Sequence, residues 1–272
     1  MPLTPAASPA ADPFAEPRSA RLTAWGNSLL AGFAPPDQVA EEIVAADEPH
    51  RVVGLPGDAA GEQHGWSWAL GRLRVLGVRG LRLALPSDGH PLGLTGPAGF
   101  NASALTAGEA VLAVGVPIGF VPEVEVYGPP GDQSATVVWH CAGVREAPPA
   151  DVPSLHEAER ELAESLREAT VLLSRLDVAG AGPQALRALE QYRKRPHSRL
   201  LAPGYPPRAV RVLESARQVA ALLAIAAEGH GAAVSAGEMA ARSAVLTPLR
   251  RTARRAQVAA YNALVDEREA RD

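Results

Sequence analysis

The chain has 272 residues, of which 47% are apolar and 4% aromatic, and a net charge of −4. That length allows one large domain or two ordinary ones, with a core packed from Ala, Val and Leu, and the charge balance by itself names no partner. Lys194 is the only lysine among 26 basic residues and follows no Gly-rich loop, which argues against Schiff-base chemistry and a Walker-type phosphate loop.

A lone cysteine, Cys141, rules out an intrachain disulfide and suits a reducing cytosol. No basic stretch followed by an apolar one opens the sequence. Its longest purely apolar run, Val219 to Ala227, falls well short of the roughly 20 residues a membrane span needs. The expectation is a soluble cytoplasmic protein with no membrane contact. The dominance of Arg, Ala, Gly and Pro points to a GC-rich coding genome.

Residues 1–18 are rich in Ala and Pro and poor in large apolar side chains, so a disordered tail is expected there. Leu22, Trp25, Leu29 and Phe33 then recur at helical spacing until Gly32 and Pro35-Pro36 stop the helix. A second helix starts near Pro36, with Val39, Ile43 and Ala46 inward. The stretch TAWGNSLLAGFAPPDQVAEEI, across these helices, resembles swapped-hairpin DNA-binding proteins of the AbrB/MazE type over about four residues. Two features speak against that reading. The spacing is helical where the hairpin needs an alternating strand, and residues 1–60 hold three arginines against eight acids, which repels phosphates.

From His50 the pattern turns to strands. HRVVGL reads as a strand and GDAAGEQHG as a loop. WSWALGRLRVLGV reads as a strand whose phase slips at a bulge at Gly71. GLRLAL, closed by the Asp-Gly turn of PSDGHP, is followed by EAVLAVGV, VPEVEVY and ATVVWHC. The sum is an α+β domain over residues 19–145, two helices and a mainly antiparallel sheet.

Residues 146–152 read as a Pro-rich linker, and residues 153–268 as an α-helical bundle. Ser154-x-x-Glu157 is a capping box, and Leu162, Leu166, Ala169, Leu173 and Leu176 form a seam behind it. Pro183 to Lys194 reads as a short helix and Pro207 to Glu228 as a long one. Ser235-x-x-Glu238 is a second capping box, with Val234 and Met239 as its staple. Thr247-Pro248 either kinks the helix that follows or starts the last one.

No residue set declares catalysis. Cys141 and His140 are adjacent on a strand and point to opposite faces, so they do not pair. GWSWA misses the strand-to-helix setting of a hydrolase elbow. The seven histidines show no helix-borne metal pair and no accompanying Cys cluster. Neither catalytic, cofactor-binding nor metal-ligating residues are assigned, and no cofactor is implied.

Charge is more informative. Residues 1–180 hold 11 basic and 22 acidic residues, whereas residues 181–260 hold 13 and 4. The anion-binding candidates are Arg193, Arg195, Arg199 and Arg208 on a loop and its shoulders, and Arg250, Arg251, Arg254 and Arg255 on the last helix. The second group spans an arc of about 140° at helical pitch, opposite Ala253, Ala256, Ala260 and Leu264. Such a face either takes an external anionic partner, an acidic protein or a nucleic acid, or docks on the chain's own Glu157, Glu159, Glu161, Glu164 and Glu168.

RLTAWGNSLLAGFAPPD, PLGLTGPAGFNASALTAGEAVL and APGYPPRAVRVLESAR are similar to uncharacterised proteins of high-GC actinobacteria. The resemblance spans most of the chain after residue 18 and implies a cytosolic bacterial origin but no mechanism. The leading reading is therefore a non-enzymatic binding or regulatory protein that uses the arginine face. The alternatives are an enzyme with a site between the domains, lined by residues such as His64, Asp88 and His90, and a homo-oligomer that buries the arginine face against a neighbour's acidic helix.

Overall fold

Leu22, Trp25 and Leu29 are buried on α1 (Arg18–Leu30), as their spacing predicts. Phe33, expected as a fourth inward residue, lies beyond the helix end and is 55% exposed. Pro36 opens α2 (Pro36–Val44), where a missing N–H costs nothing, and Val39 and Ile43 are buried. Ala46 falls outside that helix and is exposed. This computed structural model describes residues 16–129, 132–146, 150–175, 200–228 and 236–271. The Ala/Pro-rich segment enters the description only at its end, where Glu16 accepts a hydrogen bond from Arg217 at 2.6 Å and another from the Tyr261 hydroxyl.

Six strands form one sheet: β1 (Arg51–Val53), β2 (Gln63–His64), β3 (Gly80–Ala84), β4 (Ala110–Val114), β5 (Ile118–Tyr127) and β6 (Ser134–Gly143). Their order is β2-β1-β6-β5-β4-β3. β1 runs parallel to β6, and the other pairings are antiparallel. Alternation along β6 buries Ala135, Val137 and Trp139 and leaves Cys141 half-buried.

Three elements depart from the sequence reading. Gln63–His64, read as part of a Gly-rich loop, is the short strand β2 paired with β1. Trp66 to Val75 is a helix, α3 (Trp66–Val75), and Gly71 lies inside it with no bulge. Trp66, Ala69, Leu70 and Leu73 are its buried residues, an i, i+3, i+4, i+7 pattern. The parity of Trp66, Trp68 and Leu70 imitates a strand, yet Trp68 is 47% exposed. A further helix, α4 (Ala98–Ala107), was not anticipated, because its uncharged sequence has no polar face to betray a period. Phe100 and Ala104 bury against Ala84, Leu112 and Val121 on one face of the sheet. The alternate residues Leu83, Val111 and Phe120 belong to the main core on the other.

The C-terminal part holds α5 (Leu155–Arg175), α6 (Pro207–Glu228) and α7 (Ala236–Glu269). The capping box closes as expected: Ser154 N–H and Oγ–H donate to Glu157 Oε2 at 2.9 and 2.7 Å, and Glu157 N–H donates to Ser154 Oγ at 3.3 Å. Leu162 is buried on the seam and Leu166 packs partly buried beside it. Pro248 sits within α7. Leu176, the expected helix from Pro183, and the Ser235 of the second capping box lie outside the described residues.

α7 packs along α5 and α6 and then reaches α1 and β3. β3 is an edge strand, and two asparagines complete it. Asn27 Oδ1 accepts from Leu81 N–H at 2.7 Å while its Nδ2 donates to Leu81 O at 2.8 Å. Asn262 repeats this two residues on, with Leu83 N–H at 2.7 Å and Leu83 O at 3.3 Å. Gly80 permits the close approach: a Cβ there would stand 2.3 Å from Val265 Cγ2. The architecture is α+β, and among the described residues no helix is long and apolar enough to cross a membrane.

Candidate anion-binding face

The arc of arginines on α7 arises as the sequence predicts. Ala253, Ala256, Ala260 and Leu264 are buried, so the opposite face must carry the long polar side chains. The structure divides those arginines, together with Arg208 on α6, into two sets.

Arg255, Arg251 and Arg208 are neutralised within the chain. Arg255 Nη1 donates to the carboxylate of Asp151 and, at 2.9 Å, to its carbonyl, and Nε lies 3.3 Å from Glu161 Oε2. Arg251 Nη2 stands 3.7 Å from the other Asp151 oxygen. Asp151 has a φ of 58°, a left-handed backbone that Asp tolerates better than most residues. Gripped by two arginines, it ties the start of the helical part to α7. Arg208 Nε and Nη2 both reach Glu159 Oε2, at 2.8 and 2.5 Å, and Nη2 also donates to His156 Nδ1.

Arg250 and Arg254 form the second set. Arg250 is exposed and Arg254 half-buried. Among the described residues neither has a hydrogen bond or ion pair. Burial, and then the neighbouring Arg250 charge, hold the Arg254 guanidinium below its ordinary range. Arg193, Arg195 and Arg199 lie outside the described residues.

Residues weighed for catalysis are placed apart. His64 is on β2, whereas Asp88 and His90 occupy the turn after β3, at the opposite edge of the sheet. Burial, and then the Asp58 charge, push the Cys141 thiol up to about 12, so it is not a thiolate near neutrality. His140 pairs with Glu123 at 2.7 Å in an exposed position. A cleft of about 440 Å³ opens where β3 meets β4, between Arg79, Arg145, Glu146 and Glu269, and the buried Thr95 hydroxyl at its wall has no hydrogen bond among the described residues.

His50, which the sequence marks with no metal or catalytic spacing, is 3% exposed. Its Nδ1 accepts from the indole N–H groups of Trp66 and Trp139 at 3.3 and 3.2 Å, which puts its proton on Nε2, 3.2 Å from Asp47 Oδ2. Among the described residues no hydroxyl or thiol is hydrogen-bonded to this pair. Arg18 and Arg21 also bind Asp47, so the network fastens α1 to the sheet. Asp47-x-x-His50 is visible in the sequence, but only the fold brings the two indoles to it.

Two family models match, described as the Rv1486c-like protein N-terminal domain, over residues 19–152, and C-terminal domain, over residues 156–258. The chain belongs to the Rv1486c-like family. Its relatives include Uncharacterized protein Rv1486c and Uncharacterized protein MT1533, from two strains of Mycobacterium tuberculosis. Each is 29% identical over 248 residues, covering 77% of this chain and 82% of the relative. No solved structure matches the chain. In this Rv1486c-like chain the ion pairs of Arg251 and Arg255 with Asp151 join the two matched segments, since Asp151 falls in the first and Arg251 and Arg255 in the second, while Arg208, Glu159 and Glu161 all lie in the second.

Proposed function

We propose that the protein is a non-enzymatic binding protein of the bacterial cytoplasm, whose α7 face takes an acidic segment of a partner protein at Arg250 and Arg254. The observation that supports this is the division of the arginines. Asp151, Glu159 and Glu161 engage Arg208, Arg251 and Arg255, while Arg250 and Arg254 stand at i, i+4 with no acid against them among the described residues. Like charges so placed cost roughly 0.2–0.5 kcal/mol, a cost that an incoming carboxylate would offset. Arg193, Arg195 and Arg199 belong to the same proposal by sequence.

The test separates the two sets. Arg250→Glu with Arg254→Glu should keep or slightly raise the melting temperature and weaken binding to a glutamate-rich peptide, with a shallower dependence on salt. Arg255→Glu should lower stability by about 1–3 kcal/mol, since it sets a carboxylate against Asp151 and Glu161. A wild type that ignores the peptide at low salt would sink the proposal. Preferential retention of an oligonucleotide would redirect it to nucleic acid.

A further inference from the structure

Away from the arginine face, the loop between β1 and β2 gathers three side chains. It turns at Gly57 and Gly61, whose φ values of 91° and 82° favour glycine, and returns at Gln63. One ligand-type atom from each of Asp58, Glu62 and His64 lies within 4.8 Å of the others. His64 Nε2 is 3.4 Å from Asp58 Oδ2 and 3.5 Å from Glu62 Oε1.

Among the described residues, two of these atoms have no hydrogen bond. Asp58 Oδ2 and His64 Nε2 are both buried, on side chains 5% and 12% exposed, and face each other only at the longer ion-pair distance. A charge-assisted bond between them would close to about 2.7–2.9 Å. The spacing found fits a different geometry. Zinc bound tetrahedrally at about 2.0–2.2 Å from nitrogen and oxygen sets those ligands about 3.3–3.6 Å apart.

The surroundings hold this arrangement open. The His64 ring stacks on Trp68, with centroids 3.5 Å apart and planes within 12°, which fixes its direction. Glu62 Oε2 accepts from Ala59 N–H at 3.0 Å, leaving Oε1 turned towards His64. Arg72 donates to Pro56 O at 2.8 Å and lies against Gly57, bordering the loop. Arg51 is held on Gln63 Oε1 at 2.9 Å.

We propose that Asp58, Glu62 and His64 form a site for a divalent transition metal of the zinc class, with a fourth position for water. Imidazole selects zinc-like ions over magnesium and calcium, and three protein ligands with one open position are a known zinc arrangement. Periodicity could not reveal it, because a loop, not a helix face, brings the ligands together. The site is independent of the arginine face.

The untagged full chain, stripped with a chelator and titrated with Zn(II), is expected to bind one equivalent and to melt at a higher temperature when loaded. Co(II) should give the visible bands of a four-coordinate nitrogen–oxygen site. Asp58→Asn and His64→Gln should each weaken Zn(II) binding by about tenfold or more. Glu62→Gln, at an exposed position, should also weaken binding without touching the core, and melts of the metal-free variants check that each is folded. Lack of Zn(II) uptake by the wild type overturns the site, as does uptake unchanged in Glu62→Gln and Asp58→Asn. A wild type that takes no metal while His64→Gln loses stability would identify an ion pair and overturn it too.

Discussion

Asp47 gathers Arg18, Arg21 and His50 around one carboxylate. Burial by itself would raise its pKa, but the bonds from His50 and Arg18 and the charges of Arg18 and Arg21 outweigh it and hold the carboxyl well below the usual range. A folded pKa below the unfolded one gives stability that is complete above the unfolded value, about 3.9, and is lost as pH falls below it. Glu109 has the opposite sign. Burial pushes its carboxyl up, against the Ser19 N–H at 2.6 Å and the charges of Arg18 and Arg21, so its ionised form opposes folding. Melting temperatures between pH 3 and 5 are therefore expected to fall steeply in the wild type and less steeply in Asp47→Asn. Glu109→Gln should lose none of that acid dependence. Equal slopes in wild type and Asp47→Asn would show that other carboxylates govern acid unfolding.

At the scale of elements, the completion of β3 by Asn27 and Asn262 decides how the sheet ends. An uncovered edge strand exposes N–H and C=O groups that pair with other chains. Here two side-chain amides stand in for a neighbouring strand at Leu81 and Leu83. Asn262→Ala would leave buried backbone groups unpartnered, at about 1–3 kcal/mol each, and is expected to lower the urea midpoint and promote aggregation. Asn262→Asp keeps the acceptor and loses the donor, so it should fall between. An urea midpoint unmoved by Asn262→Ala would mean that water replaces the amide. Much else here was legible in the sequence. Alternation along β6 and the apolar run of β4 name their strands, and the alanine stripe on α7 fixes which way its arginines face. α3 was misread because its two tryptophans share strand parity. Asn27 and Asn262 carried no signal, since their partners lie 54 and 179 residues away. Asp151, partner to two arginines, was hidden in what reads as linker, and the metal candidates were hidden in a loop.

For the whole molecule, residues 146–152 divide the sequence more sharply than they divide the packing. α7 crosses back, with Asn262 on Leu83 and Arg82 bound to Asp266 and Glu269, each at 2.5 Å. Protease nicking within residues 146–152 is thus expected to leave the two fragments together in gel filtration at moderate salt, separating only in denaturant. Fragments that part without denaturant would show that the α7 contacts are too weak to join them. The same crossing sets an order of events during synthesis. Leu83 leaves the ribosome 179 residues ahead of Asn262, the side chain that seals it. At about 5–20 residues per second, that interval is roughly 10–35 s. Throughout it Asn27 can already pair Leu81, but the edge at Leu83 stays bare, so chaperones have their longest opportunity there, and a ribosome stalled short of Asn262 holds that half of the strand open to neighbouring chains.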